Sequence, residues 1–160
     1  MSEPLPYQDP QVIQRIVSSA RTVAIVGLSS NPLRASHFVG FYLKRHGYRV
    51  IPVNPRESNV LGVAAVASLK DIDEPVDVVD VFREPSAVPA IVADAIAIGA
   101  KALWLQYGVI NPPAAATASA AGLDVVMDRC LKIEHARYFG RMHWLGFNTG
   151  VIGARRTPPP

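Results

Sequence analysis

The sequence predicts an α/β protein: a Rossmann-like, doubly wound parallel sheet of about five strands in three α/β/α layers. Three observations carry this reading. Short continuous apolar runs recur along the chain, as in strands buried on both faces. Helical patterns of about ten to fifteen residues separate them, the βαβ alternation of a parallel sheet. Glycines follow several of these helical segments, where a left-handed residue ends a helix without steric penalty.

The elements follow in order. Residues 10–19 (PQVIQRIVSS) place Val12, Ile13, Ile16 and Val17 at helical spacing. Residues 22–27 (TVAIVG) are the first strand. Residues 34–46 read as a helix, with Ala35, Phe38, Val39, Tyr42 and Leu43 on one stripe, Lys44 and Arg45 off it, and Gly47 closing it. Residues 48–53 (YRVIPV) are the second strand, and 61–69 read as a short strand leading into a helical turn. Residues 76–82 (VDVVDVF) are the third strand. A helix over 85–98 puts Val88, Ile91, Val92, Ala95 and Ile96 on one face and ends at Gly99. Residues 102–107 (ALWLQY) are the fourth strand. An alanine-rich helix over 112–121 has proline at its start and Gly122 at its end. Residues 123–127 (LDVVM) are the fifth strand, and 131–139 a last helix. From Gly140 the chain is glycine-rich and basic, ending in three prolines. This gives an N-terminal helical segment (1–21), a Rossmann-like domain (22–140) and a C-terminal tail (141–160).

Composition narrows the classes. With 160 residues, 49% hydrophobic and 18% charged, the chain is expected to be one folded domain and not a disordered segment. Its low-charge stretches are interrupted by Asp94, Asn111, Pro112 and Pro113, so no membrane span is expected. A single cysteine and an N-terminus without an apolar core point to a reducing, cytoplasmic setting. The net charge of +3 comes from dispersed basic residues. That pattern fits individual cationic sites for a small anion better than a surface for nucleic acid.

In such a fold, ligands bind outside the carboxyl ends of the strands, near the point where strand order reverses. The segments after the first four strands are residues 27–34 (GLSSNPLR), Asn54-Pro55-Arg56, Arg83-Glu84-Pro85, and Gly108 preceded by Gln106 and Tyr107. They are small, polar and cationic, and the fold brings them to one mouth. The first turn has one glycine, Gly27, where a dinucleotide fingerprint needs three. Ser29, Ser30 and Asn31 still offer hydroxyls, an amide and backbone N–H groups ahead of a helix, a setting that holds phosphate. The plainer alternative is that they cap the helix. After the second strand, NAD enzymes place an acid for the ribose hydroxyl. Here stands Arg56, whose planar fork suits a ribose phosphate, as on the 2′ position of NADP or the 3′ position of coenzyme A. Arg56 alone does not separate these two, nor either from a solvated loop arginine. Arg34 and Arg83 add positive charge near the mouth, and Trp104 reads as core.

Several motifs then converge: VAIVGLSSNPLRAS (23–36), GYRVIPVNPR (47–56) with Leu61-Gly62 beyond it, SLKDIDEPVDVVDVFR (68–83), ALWLQYGV (102–109), AAGLDVVMDRCLKIEH (120–135) and NTGVIGARR (148–156). Together they resemble the small stand-alone CoA-binding domain proteins, the YccU-like branch of the CoA-binding Rossmann domains. The resemblance covers nearly the whole chain beyond the first helix. It implies that coenzyme A or an acyl-CoA binds at the mouth, as in the similar nucleotide domain of the succinyl-CoA synthetase α subunit. By position it implies that Gly27, Ser29, Ser30 and Arg34 hold phosphates. Val53, Asn54, Pro55 and Arg56 would meet the 3′-phospho-ADP portion. Phe82 and Arg83 would lie along the adenine end, and Gln106, Tyr107 and Gly108 near the pantetheine. The synthetases have lysine where this chain has Arg56, which keeps the charge and changes the geometry. No counterpart is expected of the synthetases' phosphohistidine domain or of the winged helix of related redox-sensing repressors.

Catalytic candidates are few. Cys130 is the only thiol, beside Arg129 and Lys132 and five residues before His135. It is a candidate reactive thiol toward CoA, although a buried cysteine packing as a small apolar group is the preferred reading. His37, His46, His135 and His143 show no metal spacing, and no metal site is expected. Asp80, inside a buried run, is expected to hydrogen-bond a neighbouring helix. The leading reading is a CoA or acyl-CoA binder without catalysis, in a regulatory or carrier role. The alternatives are an NADP-dependent oxidoreductase, for which no general acid is seen, and a nucleotide-sensing regulatory module. The latter would act through a protein partner or a homodimer by way of the aromatic, basic tail (Tyr138, Phe139, Arg141, Trp144, Phe147, Arg155, Arg156).

Overall fold

The computed structural model describes residues 6–144. In chain order the strands are β1 (Thr22–Val26), β2 (Arg49–Val53), β3 (Asn59–Val60), β4 (Val63–Ala64), β5 (Val78–Val81), β6 (Ala102–Leu105) and β7 (Asp124–Met127). The helices are α1 (Pro10–Ser19), α2 (Ala35–Arg45), α3 (Val88–Ala97), α4 (Pro112–Ala120) and α5 (Leu131–Trp144). Five strands make one parallel sheet in the order β2-β1-β5-β6-β7, and β3 and β4 form a separate antiparallel hairpin. The expected Rossmann-like three-layer fold is therefore the observed one.

Both faces of the sheet are covered, which explains why the strands read as unbroken apolar runs. On one face, Ile13, Ile16, Val39, Leu43 and Leu131 of α1, α2 and α5 pack on Val23, Ile25, Val50, Val78 and Trp104. On the other, Val88, Val92, Ala95, Ala115 and Ala118 of α3 and α4 pack on Ala24, Ile51, Val79, Val81, Leu103 and Leu105. The small alanines let α4 lie close to the sheet. Helix starts are built as the sequence indicates. Asp9 accepts from the Gln11 N–H at 2.9 Å ahead of Pro10, and Asn111 accepts from the Ala114 N–H at 3.2 Å ahead of Pro112.

The winding reverses at β1. From β1 the chain crosses to β2 through α2 on one face; from β5 it runs to β6 and β7 through α3 and α4 on the other. Val26 of β1 is level with Val53 of β2 and Val81 of β5, and Val81 is level with Leu105 of β6. Four carboxyl ends thus finish in one row, with a crevice at the switch point.

The secondary structure differs from expectation in four places. The strand expected in 61–69 is β4, and its partner β3 lies upstream; two-residue strands leave no periodic signal. Leu61 and Gly62 form the hairpin loop with φ of 54° and 77°, the paired positive values of a type I′ turn. The helical turn expected there is a 3₁₀ segment, Leu69–Asp71. The helix expected from residue 85 begins as a 3₁₀ turn, Pro85–Ala87, and becomes α-helical only at Val88. Finally, α5 runs through Gly140, so the boundary expected between residues 140 and 141 falls inside a helix. Phe147, Arg155, Arg156 and the 148–156 motif lie outside the described residues. No helix among the described residues is long and apolar enough to cross a membrane.

Asp80 departs most sharply. The expected helix partner is missing: Asp80 is fully buried between Ile25 and Trp104 in the sheet register, and neither carboxyl oxygen has a hydrogen-bond partner among the described residues. Burial pushes this carboxyl well above its ordinary value of 3.8. Asp77, three residues earlier, behaves in the opposite way. Burial works to raise it, but N–H groups of Thr22 and Arg21 and the ammonium of Lys101 hold it below its ordinary value.

For Asp80 the linkage has a definite sign. The folded state keeps its proton to higher pH than the unfolded chain, so stability falls as pH rises above the unfolded value. Asp80→Asn removes that proton equilibrium. Urea midpoints measured from about pH 5 to about pH 9 should decline more steeply in the wild type than in the variant. Parallel profiles would show that the buried carboxyl is not held protonated.

Candidate functional site

The crevice at the switch point opens into a cleft of about 940 Å³, within the range typical of small-molecule sites. Eleven of the thirteen residues singled out from sequence line it: Gly27, Ser29, Arg34, Val53, Asn54, Pro55, Arg56, Phe82, Arg83, Gln106 and Tyr107. They come from the ends of β1, β2, β5 and β6. Ser30 and Gly108 are held just outside. The Ser30 N–H and hydroxyl both donate to the Glu57 carboxylate, and the Gly108 N–H donates to Asp128 Oδ1 at 2.8 Å.

The turn after β1 depends on Gly27, which has φ +90° and whose N–H donates to the Val53 carbonyl at 2.8 Å. A Cβ there would sit 2.5 Å from the Phe82 carbonyl oxygen. Beyond it, the turn is knotted by its own side chains. Ser36 Oγ accepts from the Ser29 N–H at 3.1 Å, Ser29 Oγ from the Asn31 N–H at 3.0 Å, and Asn31 Oδ1 from the Leu33 N–H at 2.9 Å. Asn54 bridges turns, donating to the Leu28 carbonyl at 3.1 Å and accepting from the Arg56 N–H at 3.0 Å.

None of Ser29, Ser30 or Asn31 caps α2. The cap position is Arg34, which makes no side-chain capping bond. Ala35 and Ser36 open the helix and line the cleft. Among the described residues, their N–H groups meet no protein acceptor. The positive end of α2 is thus turned toward the cleft, where an anion is favoured.

Charge in the cleft is arranged unevenly. Arg83 is engaged by Glu84, through Nε at 3.2 Å and Nη2 at 3.0 Å. Arg34 and Arg56 have no ion-pair partner among the described residues. Hydrogen bonds from Ser30 hold the Glu57 carboxyl below its ordinary value. A carboxylate therefore occupies N–H and O–H donors next to the turn where the sequence reading placed phosphates.

Sequence reasoning missed several lining residues: Ser36, Val39, Glu57, Glu84 and Val109. Glu57 and Glu84 each follow a singled-out arginine, and their chain position was a usable signal. Cys130 was weighed as core, and it is 9% exposed but borders the cleft. His135 does not line it. That ring is buried among Tyr42, His46, Tyr48 and Phe139, with Nδ1 2.8 Å from the Tyr42 hydroxyl, and burial lowers its pKa to about 4. Arg129 and Lys132 are likewise committed elsewhere, Arg129 to Glu134 and Gln8, and Lys132 over the Tyr42 ring.

A second, smaller cavity of about 220 Å³ lies at the amino edge of the sheet. Its charges are already matched, Arg15 with Asp124 at 2.7 Å and Lys101 with Asp77 at 3.3 Å, so it offers a ligand little unpaired charge. No group of histidine, cysteine and carboxylate side chains suited to a metal occurs among the described residues.

Comparison with known proteins gives one family. The model of the CoA binding domain matches residues 21–136. The uncharacterized protein YneT of Bacillus subtilis (strain 168) is 40% identical over 124 residues, spanning 78% of this chain and 92% of that protein. A hypothetical protein from Pyrococcus horikoshii OT3 superposes with a TM-score of 0.82 at 39% identity, covering 88% of this chain and all of its own. The cell-free ID.343 structure from Thermus thermophilus gives 0.77 at 42% identity, over 82% of this chain and 99% of its own.

The Gly27 geometry yields a direct test. Gly27→Ala should destabilise the fold by at least about 1–3 kcal/mol through backbone strain, with the Phe82 clash in addition. Urea unfolding measures the loss. A variant of wild-type stability would contradict the close approach described above.

Proposed function

Because the chain belongs to the CoA binding domain family, we propose that it holds coenzyme A or an acyl-CoA in the cleft at the carboxyl edge of the sheet. In this reading it carries or senses the cofactor and does not turn it over. The observation that carries the proposal is the convergence of four strand ends on one open cleft whose Arg34 and Arg56 have no acidic partner among the described residues. A nucleotide bearing several phosphates matches that charge and that length of cleft.

The division of labour follows from chemistry. The turn of Gly27 and Ser29, with the start of α2 and Arg34, suits the pyrophosphate. Arg56, at the end of β2, suits the 3′-phosphate through paired N–H donors. Phe82 and Arg83 offer a half-buried flat surface and a cation for the adenine. Gln106 and Tyr107 border the region for the pantetheine arm. The tail's part in a homodimer or protein contact belongs to the same proposal and is read out by sizing a chain truncated after Trp144, with and without CoA.

Calorimetry with CoA and 3′-dephospho-CoA tests the Arg56 role. CoA should bind at least about tenfold more tightly, and Arg56→Ala should remove that difference. Equal affinity of the wild type for both compounds would sink the assignment. Glu57 gives a second, opposite-signed test. Replacing it with Gln removes the carboxylate near the phosphate turn, so CoA affinity should rise, by about threefold to tenfold at low salt. An unchanged affinity would mean that Glu57 does not compete for this space.

A further inference from the structure

Gln106 is a polar side chain with one half committed and the other half open. The residue is 4% exposed and lines the cleft. Its Oε1 accepts from the Leu131 N–H at 3.0 Å. Because a backbone N–H can only donate, this contact fixes which end of the amide is oxygen. The Nε2 group is consequently turned away from Leu131, and it has no protein acceptor among the described residues. It is also not among the sealed, unsatisfied atoms of the interior, so it opens toward the cleft. An acceptor on a ligand in the cleft is the natural partner for this donor.

Cys130 adjoins the same contact. It precedes Leu131, borders the cleft, and is the cap residue of α5, since its carbonyl accepts from the Glu134 N–H at 3.0 Å. The thiolate is the attacking form of a cysteine in disulfide exchange. A buried thiol that borders the cleft, next in sequence to the residue whose N–H holds the Gln106 amide, is placed to meet the thiol end of a bound pantetheine arm.

We propose that Cys130 undergoes thiol–disulfide exchange with a CoA disulfide bound in the cleft, storing one CoA moiety as a mixed disulfide. This rests on the CoA-binding reading above. In the step, Cys130 loses its proton to solvent and its sulfur attacks one sulfur of the CoA disulfide. The new Sγ–S bond forms as the old S–S bond breaks, and the departing CoA thiolate takes up a proton. The released CoA leaves with the bonding pair of the broken S–S bond, so its sulfur returns to the thiol level as the Cys130 sulfur rises to the disulfide level. Gln106 Nε2 acts as a positioning donor to a carbonyl of the pantetheine arm. A thiol such as free CoA or glutathione reverses the step.

The chain has one cysteine, so intact-mass spectrometry counts adducts without ambiguity. Full-length protein is treated with CoA disulfide or with glutathione disulfide at equal concentration, and calorimetry with reduced CoA is run alongside on the wild type and on Cys130→Ser. The expected result is a single CoA adduct formed at least about tenfold faster than the glutathione adduct, because bound disulfide is held near the thiol. Gln106→Leu should slow the CoA reaction and leave the glutathione reaction unchanged. Cys130→Ser should form no adduct with either disulfide. Reduced CoA binding with no adduct, or with no preference for CoA disulfide, overturns the exchange and leaves the CoA-binding reading standing. Absence of CoA binding in calorimetry overturns both.

Discussion

The cleft depends on one backbone approach. At residue 27 the chain leaves β1 and passes so close to the Phe82 carbonyl at the end of β5 that no side chain fits between them. Neighbouring parallel strands would otherwise have to splay to let the chain out. With glycine they do not, and Val26, Val53 and Val81 end level. The turn then rises directly above the switch point, its N–H tied to Val53. The start of α2 is delivered beside the ends of β2 and β5, which is why serines from one loop, an arginine from a second and an arginine from a third share a single mouth.

Most of this was legible because the physics behind it is local or periodic. A sheet buried on both faces writes unbroken apolar runs, and Asp9, Asn111 and the two prolines after them write helix starts. The fold class fixes which segments follow the strand ends, and eleven of the thirteen candidate residues in them line the cleft. What stayed hidden was tertiary. The β3–β4 hairpin is too short for periodicity. Glu57 reads as a solvated acid until the chain folds it back onto Ser30. Asp80 looked like a residue with a partner because buried carboxyls usually have one, and only its neighbours, Ile25 and Trp104, show that none is offered. Cys130 reads as core because a buried, unreactive cysteine is the common case, and nothing in the order of residues shows that β6 ends against it.

The buried Asp80 and the open cleft are linked by position. Asp80 is followed two residues later by Phe82, and in strand alternation both point to the face that carries α2 and α5. Phe82 lines the cleft while Asp80 lies beneath it. An unpartnered acid weakens the sheet at its centre, and a sheet optimised only for stability would carry a valine here as at Val78, Val79 and Val81. The placement leaves a buried, unpartnered carboxyl in the strand that leads to the cleft, and departures from stability of this kind are commonly found near functional sites.

Charge follows the same logic. The cleft holds three arginines, but Glu84 engages Arg83 and Glu57 sits on the donors of Ser30. Without ligand, these acids limit repulsion among the cations and keep the turn ordered. In the CoA-binding reading proposed above, an anionic ligand would compete with Glu57 for the Ser30 donors and with Glu84 for Arg83, whereas Arg34 and Arg56, which have no ion-pair partner among the described residues, would be open to it without displacing an acid. Affinity in this cleft would therefore depend on the acids as much as on the arginines.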